Sequence, residues 1–136
     1  MAGTAYPLPE RSDEEVRDAI FIVKSKNQTG SGFLTLDRQH ILTARHVVEG
    51  IQPEREKVAV QNTRTKEPHS CVVQRLWDDW DVALLRLVKS IEDRAILPFN
   101  LSQQKPVAGN DFSTYGFPDD FVDYYSGWFY GKIGHE

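Results

Sequence analysis

Short runs of apolar and β-branched residues, broken by polar, glycine-rich or proline-containing stretches, extend along most of the chain. They predict strands at residues 19–24, 32–36, 39–43, 57–61, 70–76, 81–88, 110–116 and 127–133. Many short strands with turn signals between them are typical of an all-β sandwich or barrel. The pair Asp37-Arg38, between the second and third runs, predicts a hairpin turn.

Two segments favour helix instead. Ser12, followed three residues later by Glu15, forms a capping-box pattern, which predicts a short helix over residues 13–17; a polar entry loop is the alternative. Residues 45–49 predict one helical turn ended by Gly50 at the C′ position. Residues 1–18 are therefore interpreted as a leader with a short helix.

Two glycines are expected to serve backbone geometry. Gly32 lies where the first hairpin turns, and Gly116 ends a strand before Pro118. A side chain at either position would destabilise the protein if the φ angle there is positive.

Charge and hydropathy exclude some function classes. The net charge is −4, with 16 Lys and Arg against 20 Asp and Glu, and no basic stripe that would favour nucleic acid is visible. No apolar run reaches the length of about 18 residues that a membrane-spanning helix needs. The single cysteine, Cys71, cannot form an internal disulfide, and the N-terminus has no signal-peptide pattern, so a cytoplasmic location is expected.

Four segments carry a pattern of chemical interest. In chain order they are GSGFL at residues 30–34, ILTARHVV at 41–48, DVALLRL at 81–87 and YGFP at 115–118. Together they resemble the chymotrypsin-like (trypsin-fold) serine peptidases, most closely the disulfide-free bacterial type similar to the high-temperature-requirement proteases. The resemblance implies the first six-stranded Greek-key barrel of a double barrel, plus the opening strands of the second.

The resemblance also implies the roles of two residues. A serine hydroxyl needs a base within hydrogen-bonding reach, and a carboxylate on the far nitrogen of that base fixes its tautomer. His46 matches the general base of the family and Asp81 its orienting carboxylate; Asp78 and Asp79 stay open as alternative orienters. No cofactor is implied, and a divalent-metal site at the three aspartates is the weaker interpretation.

The other candidates for chemistry are less favoured. His40 is expected at a hairpin edge, His69 in a polar loop, and His135 lies next to the last residue. No His and Cys pair has the spacing of zinc ligands. Cys71 precedes Asp81, whereas the nucleophile of the family follows the aspartate, so Cys71 is interpreted as a core residue.

The chain departs from the family at the nucleophile. No serine stands in a G-x-S-G-G segment: Ser126-Gly127 is followed by Trp128, and Ser31 precedes His46. We therefore expect the His/Asp half of a serine endopeptidase, inactive alone, that acts on protein or peptide substrates once a serine is supplied. The expected divisions are a first barrel at residues 19–97, a connection at 98–110 and a truncated second barrel at 111–136.

Two other functions remain open. An aromatic cluster near the C-terminus is expected to contact the serine-bearing half or another chain; its members are Tyr124, Tyr125, Trp128, Phe129 and Tyr130. The same cluster would serve a catalytically inactive interaction or regulatory module derived from the protease fold. A β-barrel binding domain unrelated to proteases is the third hypothesis.

Overall fold

The computed structural model describes residues 12–26, 28–35 and 37–99, together with the backbone of residues 111–116 and 127–132. Within these ranges it has one α-helix, a 3₁₀ helix and eight strands. They are α1 (Asp13–Asp18), β1 (Ile20–Lys24), β2 (Thr29–Thr35), β3 (His40–Thr43), the 3₁₀ helix (Arg45–Val48), β4 (Lys57–Asn62), β5 (Pro68–Leu76), β6 (Ala83–Leu87), β7 (Asp111–Gly116) and β8 (Gly127–Lys132).

Six strands close into an antiparallel barrel in the order β1-β2-β3-β6-β5-β4. Consecutive hairpins join β1 to β2 and β2 to β3, and β4 then returns to pair with β1, which is the Greek-key arrangement. The connection from β3 to β4 therefore crosses one end of the barrel, and the 3₁₀ helix lies within it. This is the predicted fold class, a six-stranded barrel of the chymotrypsin type.

Successive side chains of a barrel strand point alternately to the inside and the outside of the barrel. In β4, Val58 and Val60 are buried while Lys57 and Ala59 are exposed. The interior is filled mainly by aliphatic side chains and one aromatic ring; its largest fully buried members are Phe21, Leu34, Ile41, Leu85 and Leu87. Burial of such side chains is the main favourable term in folding.

The predicted first helix forms with both contacts of the capping box. The Glu15 amide donates to Ser12 Oγ at 3.2 Å, and the Ser12 amide donates to Glu15 Oε1 at 3.0 Å. The helix ends at Asp18, one residue beyond the predicted end. Its last carbonyl, that of Asp18, accepts a hydrogen bond of 2.9 Å from the buried side-chain amide of Asn62, which ties α1 to the barrel.

Three strand boundaries and one histidine environment were predicted wrongly. β6 begins at Ala83 rather than at residue 81, so Asp81 precedes the strand. β2 begins at Thr29 rather than at residue 32, because Thr29 pairs with Lys24 of β1 despite its polar neighbours. β5 begins at Pro68, where a proline is tolerated as the first residue of a strand. His69 therefore lies in β5 and not in a loop, with its ring edge-on to Phe21 at a centroid distance of 6.1 Å.

The conformational reason expected for Gly32 is also wrong. Among the glycines that the structure describes, the one with a positive φ is Gly50, at 83°, where the predicted helical turn ends. Gly32 is required for space instead, since an added Cβ would lie 2.7 Å from Ile41 Cγ2 and 3.0 Å from the Leu42 carbonyl. Gly116 is the last residue of β7, and the expectation for it stays a prediction.

β7 and β8 form a two-stranded antiparallel sheet, paired from Asp111 with Lys132 to Gly116 with Gly127. These strands match the last two predicted ones to within one residue. Most of the expected connection at 98–110 lies outside the described residues, as do Tyr124, Tyr125, Ser126 and His135. No helix in the described part of the chain is long and apolar enough to cross a membrane.

Candidate functional site

The pairing of β3 with β6 brings His46 and Asp81 to the same end of the barrel. Thr43, the last residue of β3, pairs with Ala83, the first residue of β6. His46 lies three residues beyond Thr43, and Asp81 lies two residues before Ala83. Two residues that are 35 positions apart in the chain therefore meet because neighbouring antiparallel strands place them at one edge.

Asp81 contacts His46 through both carboxylate oxygens. Its Oδ2 lies 2.5 Å from Nδ1 of the imidazole, and its Oδ1 accepts a hydrogen bond of 2.8 Å from the His46 backbone amide. A carboxylate can only accept, so Nδ1 carries the proton in this contact. In a neutral imidazole the lone pair then lies on Nε2, which has no hydrogen-bond partner among the described residues.

The two side chains face solvent. His46 is 57% exposed and Asp81 is 56% exposed. Hydrogen bonds from the His46 amide and from its imidazole hold the pKa of Asp81 below the ordinary value of an aspartate. Asp81 is therefore ionised at neutral pH and can stabilise an imidazolium.

The backbone around His46 is anchored by its apolar neighbours. Val47 and Val48 are buried and cover the end of the barrel. The hydroxyl of Ser25 donates a hydrogen bond of 2.6 Å to the Val47 carbonyl. His46 is thus an exposed residue on a segment whose next two residues belong to the core.

Open cavities lie on both sides of Asp81. One of about 250 Å³ is bordered by His46, Val48, Ile51 and Leu76, so the imidazole stands at the edge of a cleft as expected. Another of about 360 Å³ has a mainly apolar lining; among its residues are Phe33, Leu42 and Val82. A larger cavity of about 520 Å³ lies near His69 and Val88, where the strand order places the opposite end of β6, so volume alone does not mark the site.

The other candidate orienters do not contact His46. Asp78 Oδ1 lies 3.2 Å from Nη1 of Arg45, and Asp79 is exposed without a contact to the imidazole. Within the described ranges, no group of three or more His, Cys, Asp or Glu side chains is placed to hold a metal ion. The carboxylate that the structure brings to His46 is therefore that of Asp81.

The remaining histidine and cysteine candidates have structural surroundings. His40 Nδ1 lies 2.8 Å from Asp37 Oδ1, and its Nε2 lies 3.2 Å from Gln74 Oε1. Cys71 is fully buried, and burial raises the pKa of its thiol to about 12. Cys71 is thus a core residue, as expected.

Sequence reasoning missed two residues that shape the site. Arg45 donates to the Trp77 carbonyl at 2.8 Å, and Gly30 lies against Val47. The G-S-G-F segment was noticed only as a motif, and the contact of Arg45 joins segments 32 residues apart. Only the strand order brings these partners together, so no local pattern could have identified the contacts.

Solved protease structures share this fold. The serine endoprotease from Yersinia pestis superposes with a TM-score of 0.68 at 20% sequence identity, over 95% of this chain and 46% of that protein. The Rv3671c protease in its inactive form superposes with a TM-score of 0.68 at 19% identity, over 90% of this chain and 54% of that protein. The chain therefore spans about half the length of these proteins, and at such identities the likeness shows the fold alone.

No curated protein sequence matches the chain. A family model does: that of the trypsin-like peptidase domain matches residues 30–127, which include His46, Asp81 and the barrel strands from β2 to β6. This range is well over half of the chain. The chain is accordingly a member of the trypsin-like peptidase domain family, with the serine-protease fold.

Proposed function

We propose that this chain supplies the histidine and aspartate of a serine endopeptidase site, with His46 as general base and Asp81 as orienting carboxylate. The observation that supports the proposal is the 2.5 Å contact between His46 Nδ1 and Asp81 Oδ2 at the edge of a cleft. The substrate would be a protein or peptide, and no cofactor takes part.

The geometry suits base catalysis in a specific way. With Nδ1 donating to Asp81, Nε2 can accept the proton of a serine hydroxyl as the oxygen attacks the peptide carbonyl. The imidazolium formed would face the ionised Asp81, and it would then protonate the leaving amine. Asp81 keeps its charge throughout, consistent with the lowered pKa of its carboxyl group.

The nucleophile is proposed to lie outside these 136 residues. No serine of the sequence stands in a G-x-S-G-G setting. Ser31 lies in β2, one strand away from the His46 segment, and its carbonyl accepts a hydrogen bond of 2.8 Å from the Thr43 hydroxyl. The chain alone is therefore proposed to be inactive.

A fluorophosphonate probe, which labels an activated serine, tests this proposal. We expect the complete natural protein to be labelled on one serine outside residues 1–136, and His46→Ala to abolish the labelling. Mass spectrometry of the labelled peptide locates the serine. Labelling of Ser126, or undiminished labelling of a folded His46→Ala protein, would contradict the proposal.

A catalytically inactive interaction module is the second candidate, and the missing nucleophile motif is the observation that favours it. A complete protein that is folded and yet takes up no probe would support this module over the peptidase. Replacement of His46 would leave the binding of a partner by an interaction module unchanged, whereas it would stop a peptidase from forming cleavage products.

Contact with the serine-bearing half, or with another chain, is proposed to involve the C-terminal aromatic cluster, from Tyr124 to Tyr130 in the sequence. The support is the concentration of aromatic residues in this part of the sequence, since an apolar cluster marks an interface where it is exposed. Light scattering of the 136-residue chain, alone and mixed with the remaining polypeptide, tests this. Replacement of Trp128 and Phe129 by serine should weaken the association, and unchanged association would contradict it.

A further inference from the structure

The loop that carries Asp81 is short and strongly acidic. It connects β5 to β6 and is closed by a hydrogen bond of 3.2 Å from the Trp77 amide to the Val82 carbonyl. Three of the four residues between them are aspartates, and the fourth, Trp80, is 67% exposed. Mutual repulsion of three carboxylates in four residues opposes any single compact loop conformation.

Arg45 reaches this loop from the segment that carries His46. Its Nη1 donates to the Trp77 carbonyl at 2.8 Å and lies 3.2 Å from Asp78 Oδ1. Arg45 immediately precedes His46 in the 3₁₀ helix, and its backbone also helps to hold the pKa of Asp81 low. The residue before the base is thus bonded to the start of the loop that ends in the orienting carboxylate.

Both side chains of the His46 and Asp81 pair are more than half exposed, so water competes for each of their hydrogen bonds. The pair therefore keeps its geometry only if the two backbone segments are held at a fixed separation. On the His46 side, the burial of Val47 and Val48 provides this. On the Asp81 side, the loop is held by the Trp77–Val82 bond and by the contacts of Asp81 with His46. Arg45 adds a further hydrogen bond that joins this loop to the His46 segment.

We propose that Arg45 is a positioning residue: its hydrogen bond to the Trp77 carbonyl locks the Asp81 loop against the His46 segment. The Arg45 guanidinium acts on the geometry of the pair and touches no reacting atom. Its charge also offsets the acidity of the loop through Asp78. The bond to the carbonyl is the essential contact, since Trp77 is the residue whose amide closes the loop.

Amide exchange of the 136-residue chain tests this directly, because the His46 amide donates to Asp81 Oδ1 at 2.8 Å and reports whether the loop is in place. In Arg45→Met we expect this amide to exchange about tenfold faster, as befits loss of a charge-assisted hydrogen bond. In Arg45→Lys, which keeps the charge and a donor nitrogen, the acceleration should be smaller. Unchanged exchange in Arg45→Met would overturn the proposal.

Two controls separate the lock from a general effect of charge or of surface arginines. Asp78→Asn removes the ion pair and leaves the carbonyl bond, so His46 exchange should be no faster than in the parent chain. Arg86→Met removes a surface arginine with the same 38% exposure, which binds both oxygens of Glu54 away from the loop. Faster His46 exchange in either control, equal to that of Arg45→Met, would contradict a specific role of the Trp77 contact.

The catalytic purpose of the Arg45–Trp77 hydrogen bond rests on the proposed peptidase function. The exchange measurement tests the bond itself and does not depend on that function. In the complete active protein, Arg45→Met should lower kcat several-fold and leave KM nearly unchanged, with partial recovery in Arg45→Lys. Faster exchange without any change in kcat would show a lock that catalysis does not use. If the fluorophosphonate probe did not label the complete parent protein, the peptidase function would be refuted, but the role of Arg45 in positioning the loop would not.

Discussion

Gly30 lies so close to Val47 that a Cβ built at position 30 would stand 2.5 Å from Cγ2 of Val47. Val47 directly follows His46 and is buried at the end of the barrel. The absence of a side chain at position 30 therefore lets the segment with His46 seat on β2. Gly30 therefore determines how closely Val47, the buried neighbour of His46, packs against β2.

This contact predicts a size-dependent coupling between the two positions. Gly30→Ala should lower the free energy of unfolding by about 1–3 kcal/mol, because Val47 is stiff, buried and unable to move aside. Val47→Ala should also destabilise the protein, by loss of buried apolar surface. Combined, the two changes should cost less than their sum, since the smaller side chain at position 47 makes room for the new methyl group.

Urea unfolding of the four chains in this cycle measures the coupling. The parent, the two single variants and the double variant need comparable m-values for the comparison to hold. Strict additivity of the two losses would show that the steric contact does not govern the seating of the segment.

The lowered pKa of Asp81 predicts a pH-dependent contribution to stability. An aspartate whose pKa is lower in the folded state stabilises that state above the unfolded pKa, and the contribution is lost as pH falls through the folded pKa. The stability difference between the parent chain and Asp81→Asn should therefore shrink as pH falls from about 6 to about 2.

Thermal melts across this pH range test the prediction, with Asp79→Asn as the matched neighbour. Asp79 does not contact His46, so its substitution should leave the pH dependence close to that of the parent. A difference between parent and Asp81→Asn that is constant with pH would argue against the hydrogen bonds to His46 as the source of the shift.

Cys71 should be unreactive in the folded chain. Its side chain is fully buried, and burial raises the pKa of the thiol to about 12, so almost no thiolate exists at neutral pH. Ellman's reagent should react with the native protein only on the timescale of unfolding and at once in concentrated urea. Prompt reaction under native conditions would place this thiol at an accessible surface instead.

The parts of the fold with a local signal were predictable from the sequence. The capping box of Ser12 and Glu15 and the alternation of Val58 and Val60 are set by neighbours along the chain. The chymotrypsin-like barrel, and the choice of His46 and Asp81 as candidate site residues, followed from the motif resemblance, because a family pattern carries tertiary information that propensities lack. The contact between these two residues then follows from the strand order.

The parts that the sequence did not reveal depend on contacts between distant segments. Thr29 and Gly30 have the composition of a turn, yet they extend β2 because β1 is available to pair with them. Pro68 lies before the predicted strand at residues 70–76, yet it begins β5, where the first strand position tolerates a proline. The hydrogen bond of Ser25 to Val47 has no local signature either.

The central claim is that His46 and Asp81 form the base and orienter of a serine endopeptidase. Its most direct test is the kcat/KM for a peptide substrate in the complete natural protein, compared among the parent, His46→Ala, Asp81→Asn and Asp79→Asn. We predict a loss of about 10⁴-fold for Asp81→Asn, at least as large a loss for His46→Ala, and near-parent activity for Asp79→Asn, with all four proteins folded. Retention of parent-like activity by folded His46→Ala or Asp81→Asn would contradict the claim.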